Sequence, residues 1–173
     1  MAPIKQALVR KTAQMTFDPK AFRQALGCFP TGVAVVTACG EAADIGITVN
    51  SFTSVSLDPP LVMWCIDRRS DRFNGFVKAD RFTISILGTK HQEVSSRLAR
   101  QGEHSLEDIE LVKTDSGPPA LADSLAVFEC EPHAVHEGGD HAILVGRVTR
   151  FFRQDAGEPL VFFRGKYGAL ASG

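Results

Sequence analysis

The chain predicts a mainly β fold with inserted helices, closed into an antiparallel barrel, on three observations. Short runs rich in β-branched and aromatic residues recur: Val33–Cys39, Ile45–Leu57, Leu61–Ile66, Phe82–Leu87, Leu125–His136, Ala142–Phe152 and Leu160–Phe163. Turn-forming clusters join them in hairpin order, and Glu137-Gly138-Gly139-Asp140 is a strong hairpin signal. Helical patterns are few and irregularly placed, which disfavours the regular strand–helix alternation of a parallel α/β sheet.

The elements follow in order. Asp18 is a good helix N-cap and Pro19 suits the first helical position. Phe22, Ala25, Leu26 and Phe29 then form one apolar stripe, fit for the core or for a subunit contact, until Pro30-Thr31-Gly32 ends the helix. The run Ile45–Leu57 alternates, but its spacing shifts between Val49 and Phe52, which predicts a bend or bulge near Asn50-Ser51. Asp58-Pro59-Pro60 breaks it. Leu61–Ile66 is nearly continuous in apolar residues, as in a strand buried on both sides. Ser70 is expected to cap a short helix with Phe73, Phe76 and Val77 on one face. Thr89-Lys90-His91-Gln92 reads as a capping box opening a helix to about Arg100. Residues 101–119 read as a polar, flap-like loop with one helical turn at Leu106–Ile109.

Bulk properties narrow the function classes. A chain of 173 residues fits one domain, and at this size a fold buries about 70% of its unfolded surface. The expected division is a flexible tail over residues 1–15 and one domain over 16–173. Net charge is −1, so no basic field for nucleic acid exists. No apolar run approaches the ~18 residues of a membrane span. Cys28, Cys39, Cys65 and Cys130 form no Cys-x-x-Cys pair and read as reduced thiols of a cytoplasmic protein. His133 and His136 are three apart on a strand and so face opposite ways, which argues against a metal site with His141.

The stretch from Gly46 to Pro60 is the most informative. Thr48, Asn50, Ser51, Thr53, Ser54 and Ser56 crowd hydroxyls and an amide onto one strand. Buried, such groups need partners; a ligand with many carbonyls, ring nitrogens and hydroxyls would provide them. A Ser/Thr-rich strand with one solvated face would show the same pattern.

Gly-Ile-Thr-Val-Asn-Ser-Phe-Thr-Ser-Val-Ser-Leu-Asp-Pro-Pro (46–60) strongly resembles the signature of the short-chain flavin reductases, the reductase components of two-component flavin-dependent monooxygenases. Further pieces are similar and come in family order. They are Phe29-Pro-Thr-Gly-Val33, Ser70, Gly139-Asp-His141 with Gly146-Arg-Val148, and Leu160-Val-Phe-Phe-Arg-Gly-Lys-Tyr167. The resemblance implies an FMN-binding split β-barrel, usually a homodimer, and an NAD(P)H:flavin oxidoreductase. Flavin (FMN or FAD) would take hydride from NADH or NADPH and be passed to a monooxygenase. It also implies a site. Thr48, Asn50 and Ser51 would hold the flavin ring and ribityl chain, and Thr31 and Gly46 would also bind the cofactor. Val55, Ser56 and Leu57 would lie near the ribityl and phosphate, Ser70 at the phosphate, and Arg164 and Tyr167 near flavin or dinucleotide. His141 would position the nicotinamide; hydride transfer needs no protein nucleophile. Alternatives are a relative that keeps its FMN and reduces another acceptor, such as a corrinoid or quinone, and a non-enzymatic flavin-binding protein.

Overall fold

The computed structural model describes residues 17–170; the segment 1–15 lies outside them. The chain runs α1 (Pro19–Leu26), β1 (Thr31–Gly32), β2 (Ala34–Ala38), β3 (Ile45–Val49), β4 (Thr53–Leu57), β5 (Pro60–Asp67) and α2 (Phe73–Val77). There follow β6 (Phe82–Ile86), a 3₁₀ turn at Thr89–His91, α3 (Gln92–Leu98), β7 (Leu111–Val112) and β8 (Ala120–Leu121). The long hairpin β9 (Ala126–Gly138) and β10 (His141–Arg153) precedes β11 (Val161–Phe163) and β12 (Lys166–Gly168).

The main sheet has seven antiparallel strands in the order β3-β2-β6-β9-β10-β5-β4. Its two edge strands, β3 and β4, are consecutive in the chain and joined only by Asn50, Ser51 and Phe52. Laid flat, the edges would stand roughly 29 Å apart at about 4.8 Å per strand, whereas that link reaches about 14 Å. The sheet therefore curls round until its edges meet, with no ladder between them. This is an antiparallel barrel split along one seam. The break at Asn50–Phe52 is the bend that the shifted alternation predicts, and Phe52 is drawn onto Phe128 in a stacked pair, ring centroids 5.7 Å apart.

Inside the barrel, β2, β3, β5, β6 and β10 bury Val36, Val49, Trp64, Phe82, Ile84 and Leu144. Phe76 of α2 plugs the cluster, edge-on to Trp64 at 5.2 Å. The other face of β2 meets a second core of Val33, Val35, Leu87, Leu98, Leu121 and Leu160 under α3. β2 is therefore buried on both faces. The sequence led us to expect that of β5, but β5 alternates: Val62, Trp64 and Ile66 enter the core, while Met63 and Cys65 are half-buried on the other face.

Several local expectations are corrected. The apolar stripe of α1 does not reach the core: Asp18 caps the helix at the Lys20 N–H (2.9 Å), but Phe22 is 49% and Leu26 58% exposed. Ser70 starts a turn rather than capping α2. Its hydroxyl accepts the Arg72 N–H and its carbonyl the Phe73 N–H, and the N-cap is Arg72. In place of the Thr89–Gln92 capping box, the His91 ring takes the Gly88 N–H at 3.1 Å. Residues 101–119 are fastened by buried Leu106 and the β7–β8 ladder; the turn at Leu106–Ile109 is one hydrogen bond. The hairpin turn falls as expected, with Gly139 at φ +74. β12 was not foreseen.

Candidate functional site

A cleft of about 860 Å³ opens at the seam. β3 and the link supply Ile47, Thr48, Val49, Asn50 and Ser51; the end of β5 and the turn after it supply Cys65, Asp67, Arg69 and Ser70. Gln101 lies on one rim, and Gly138, His141 and Ile143 of the β9–β10 hairpin on another. The cleft exists because the link leaves the ladder, so one short segment lines it with side chains and with unladdered backbone.

The polar groups of that segment divide into two sets. The Thr48 hydroxyl donates to the Ser95 carbonyl at 2.8 Å, tying β3 to α3. The Ser51 hydroxyl accepts the Cys65 N–H at 2.9 Å, tying the link to β5 across the seam. Both hydroxyls build the wall. Asn50 is exposed, and its amide meets no partner among the described residues. The backbone N–H groups of Asn50, Ser51 and Phe52 likewise donate to none of them. The lip of the cleft thus carries the unengaged donors of Asn50 and Ser51.

Charge is organised around it. Arg72, only 4% exposed, bonds the Asp71 carboxylate (3.1 Å) and the carbonyls of Gly46 (3.1 Å), Leu98 (2.7 Å) and Arg100. It thereby binds β3 and the end of α3 to the turn that follows β5, and satisfies helix-end carbonyls that would otherwise lack donors. Burial works against an ionised Asp71, yet the Gly102 N–H and Arg72 hold its carboxyl below the usual range. Asp67 is drawn down to about 2 by hydrogen bonds from Arg69. His141 stands opposite Asp67 in the β5–β10 register. Its Nδ1 lies 2.7 Å from Asp140 Oδ1, and that contact keeps the Asp140 carboxyl low. With Nδ1–H directed at Asp140, Nε2 is the ring nitrogen left for a ligand. Burial pushes the Cys65 thiol up, so it is a neutral wall group.

The structure thus brings together Thr48, Asn50, Ser51, Ser70 and His141. Gly46 stands just behind the wall: a Cβ there would sit 2.6 Å from Leu106 Cδ2. Val55, Ser56 and Leu57 lie on β4 away from this cleft, with Leu57 95% exposed. Thr31 pairs with Phe162, its buried Oγ1 unpartnered among the described residues. Tyr167 bonds Ser95 Oγ at 2.8 Å, and Arg164 stands beside α1. Asp67, Arg69, Arg72 and Gln101 were missed. The charged run Arg68-Arg69-Ser70-Asp71-Arg72, directly after an apolar strand, was the available signal.

The residues fit a flavin. The volume lies within the ~300–1,000 Å³ of cofactor sites. Ile47, Val49 and Ile143 offer apolar wall for a flat ring, the donors at Asn50 and Ser51 suit carbonyl and ring-nitrogen acceptors, and Arg69 and Ser70 suit a phosphate.

A split antiparallel barrel with such a cleft in its seam defines a class of flavin-binding oxidoreductases, and residues 26–171 match the family model described as flavin reductase like domain. The chain belongs to that family. It is 45% identical over 154 residues to the FMN reductase (NADH) SmoA of Agrobacterium fabrum, covering 89% of this chain and 87% of that one. It is 32% identical to HsaB of Rhodococcus jostii, the reductase subunit of a flavin-dependent monooxygenase, over 91% of this chain and 81% of that one. Among solved structures, the NADH:FAD oxidoreductase SgcE6 of Streptomyces globisporus, in complex with NAD and FAD fragments, superposes with TM-score 0.84 at 34% identity, covering 91% of this chain and 98% of that one. A longer Sinorhizobium meliloti chain matches at 42% identity and TM-score 0.83, and this chain spans 53% of its length.

Proposed function

We infer that the chain is an NAD(P)H-dependent flavin reductase that transfers hydride to FMN or FAD and supplies reduced flavin to a separate monooxygenase component. One observation carries the reading: the seam cleft, lipped by the unengaged donors of Asn50 and Ser51, in a chain of the flavin reductase family.

A bound flavin supplies the hydride-accepting ring system, and the protein supplies position and polarity. Asn50 and the N–H groups beside it hold the polar edge of the ring. Ile47 and Ile143 exclude water from its faces. Arg69 and Ser70 take the phosphate. His141, its tautomer fixed by Asp140, orients the nicotinamide through Nε2. Thr48, Ser51 and Gly46 keep the wall in place. Val55, Ser56, Leu57, Thr31 and Tyr167 belong to a homodimer in which they approach the flavin of either subunit. The exposed apolar stripe of α1 supports that assembly. Four free thiols support a reducing, cytoplasmic setting, and no described helix is long and apolar enough to cross a membrane.

The test is steady-state oxidation of NADH and NADPH with free FMN, FAD and riboflavin as acceptors. Turnover that saturates in flavin is expected. Binding of flavin without turnover would leave only a flavin carrier.

A further inference from the structure

The turn after β5 carries Arg68, Arg69 and Arg72, and the three are not equivalent. Arg72 is buried and committed to Asp71 and to three backbone carbonyls. Arg68 pairs with Glu137 of the β9–β10 hairpin, lies over the Phe73 ring at 5.7 Å and does not line the cleft. Arg69 does line it, and its side chain is 81% exposed, so it is the arginine of the turn with room to swing.

Arg69 is nevertheless engaged. The Asp67 carboxylate accepts its backbone N–H at 2.8 Å and its Nε at 3.2 Å through Oδ1, and its Nη2 at 2.9 Å through Oδ2. A guanidinium fork and a backbone N–H closing on one oxyanion is also how a protein takes a phosphate. Asp67 therefore holds the donors with which Arg69 would meet one. Ser70 is not held in this way: its hydroxyl accepts the Arg72 N–H, and its own proton has no acceptor among the described residues.

Charge points the same way. Asp67, Arg69, Asp71 and Arg72 all line the cleft and cancel in two pairs. A phosphate arriving beside Ser70 gains no net cation until Arg69 leaves Asp67, and it meets the like charge of the Asp67 carboxylate as well.

We propose that Asp67 is a built-in competitor of the flavin phosphate for Arg69, and so sets a weak, readily reversed grip on phosphorylated flavins. The proposal rests on reading the seam cleft as a flavin site with Arg69 and Ser70 at the phosphate. A carboxylate that takes Arg69 back as the phosphate departs favours release of reduced flavin, which a reductase serving a separate oxygenase requires.

Titrations of FMN and riboflavin into the wild type, Asp67→Asn, Arg69→Gln and the double variant test it. Asp67→Asn is expected to bind FMN about three- to tenfold tighter and riboflavin, which has no phosphate, as the wild type does. Arg69→Gln should weaken FMN alone, and most of the gain from Asp67→Asn should vanish in the double variant. Stopped-flow release of reduced FMN from Asp67→Asn should slow by a similar factor. The Asp67–Arg69 pair is solvent-exposed on the arginine side, so its loss costs little stability, and wild-type riboflavin binding verifies the fold of each variant. FMN bound no tighter by Asp67→Asn overturns the proposal; FMN bound more weakly would make Asp67 the residue that orients Arg69. An equal gain for riboflavin, or a gain that persists in full without Arg69, overturns it too. A wild type that binds neither flavin would instead sink the reading of the cleft itself.

Discussion

Asn50 and Ser51 are neighbours in the chain, yet their side chains answer to different partners. The Ser51 hydroxyl accepts the Cys65 N–H, whereas the Asn50 amide meets nothing among the described residues. Asn50→Ala is therefore expected to weaken flavin binding by roughly 1–3 kcal/mol and leave the melting temperature unchanged. Ser51→Ala orphans a half-buried backbone donor and should cost stability by about 1–3 kcal/mol. Flavin titrations and thermal melts of both variants check the pair; an equal loss of stability would assign Asn50 to the fold. His141→Ala is expected to raise KM for the dinucleotide with flavin affinity little altered, and the reverse result would place His141 on the flavin. Asp67 sets an acid limb. Its carboxyl, held down to about 2 by Arg69, stabilises the folded state fully above the unfolded value of 3.8 and ceases to do so as pH falls through the folded value. The advantage of the wild type over Asp67→Asn in melting temperature should thus be present at about pH 5–7 and shrink between about pH 4 and 2. It should be small, because solvent screens a carboxylate that is one-third exposed.

At the scale of elements, α1 is a well-capped helix none of whose apolar side chains is fully buried among the described residues. In the homodimer proposed for this chain, the double substitution Phe22→Ser with Leu26→Ser should convert the dimer into a monomer in sedimentation while the circular dichroism stays that of the wild type. A dimer that persists would remove α1 from the interface. The elements also show what a sequence exposes. The break at Asn50–Phe52 was legible because a one-residue slip in alternation is visible without coordinates. The β9–β10 hairpin was legible because Gly139 supplies the positive φ that its turn requires. β12 was not, because its turn places an arginine in the left-handed region, against the turn preferences that a reader relies on. Leu61–Ile66 misled because apolar content says nothing of which face meets a cleft: Cys65 is as apolar as its neighbours and lines the site.

For the molecule as a whole, curling is dictated by the chain connection between the two sheet edges, and the site follows from curling. The hydroxyl-rich strand was readable at once; which hydroxyls were already engaged was not. Thr48 and Ser51 are committed to Ser95 and Cys65, groups 47 and 14 residues away in sequence. Arg72 was missed for the same reason: its carbonyl partners at Gly46, Leu98 and Arg100 become neighbours only after the barrel closes. Trp64 gives that closure an optical consequence. It is the chain's single tryptophan, fully enclosed, on the strand whose next residue faces the seam. Its emission should be shifted to the blue in the native state and be quenched stepwise by a yellow acceptor lodged one strand-thickness away, whereas riboflavin free in solution leaves it bright. One indole thus reports both whether the barrel is shut and whether its slot is filled, without any added dye.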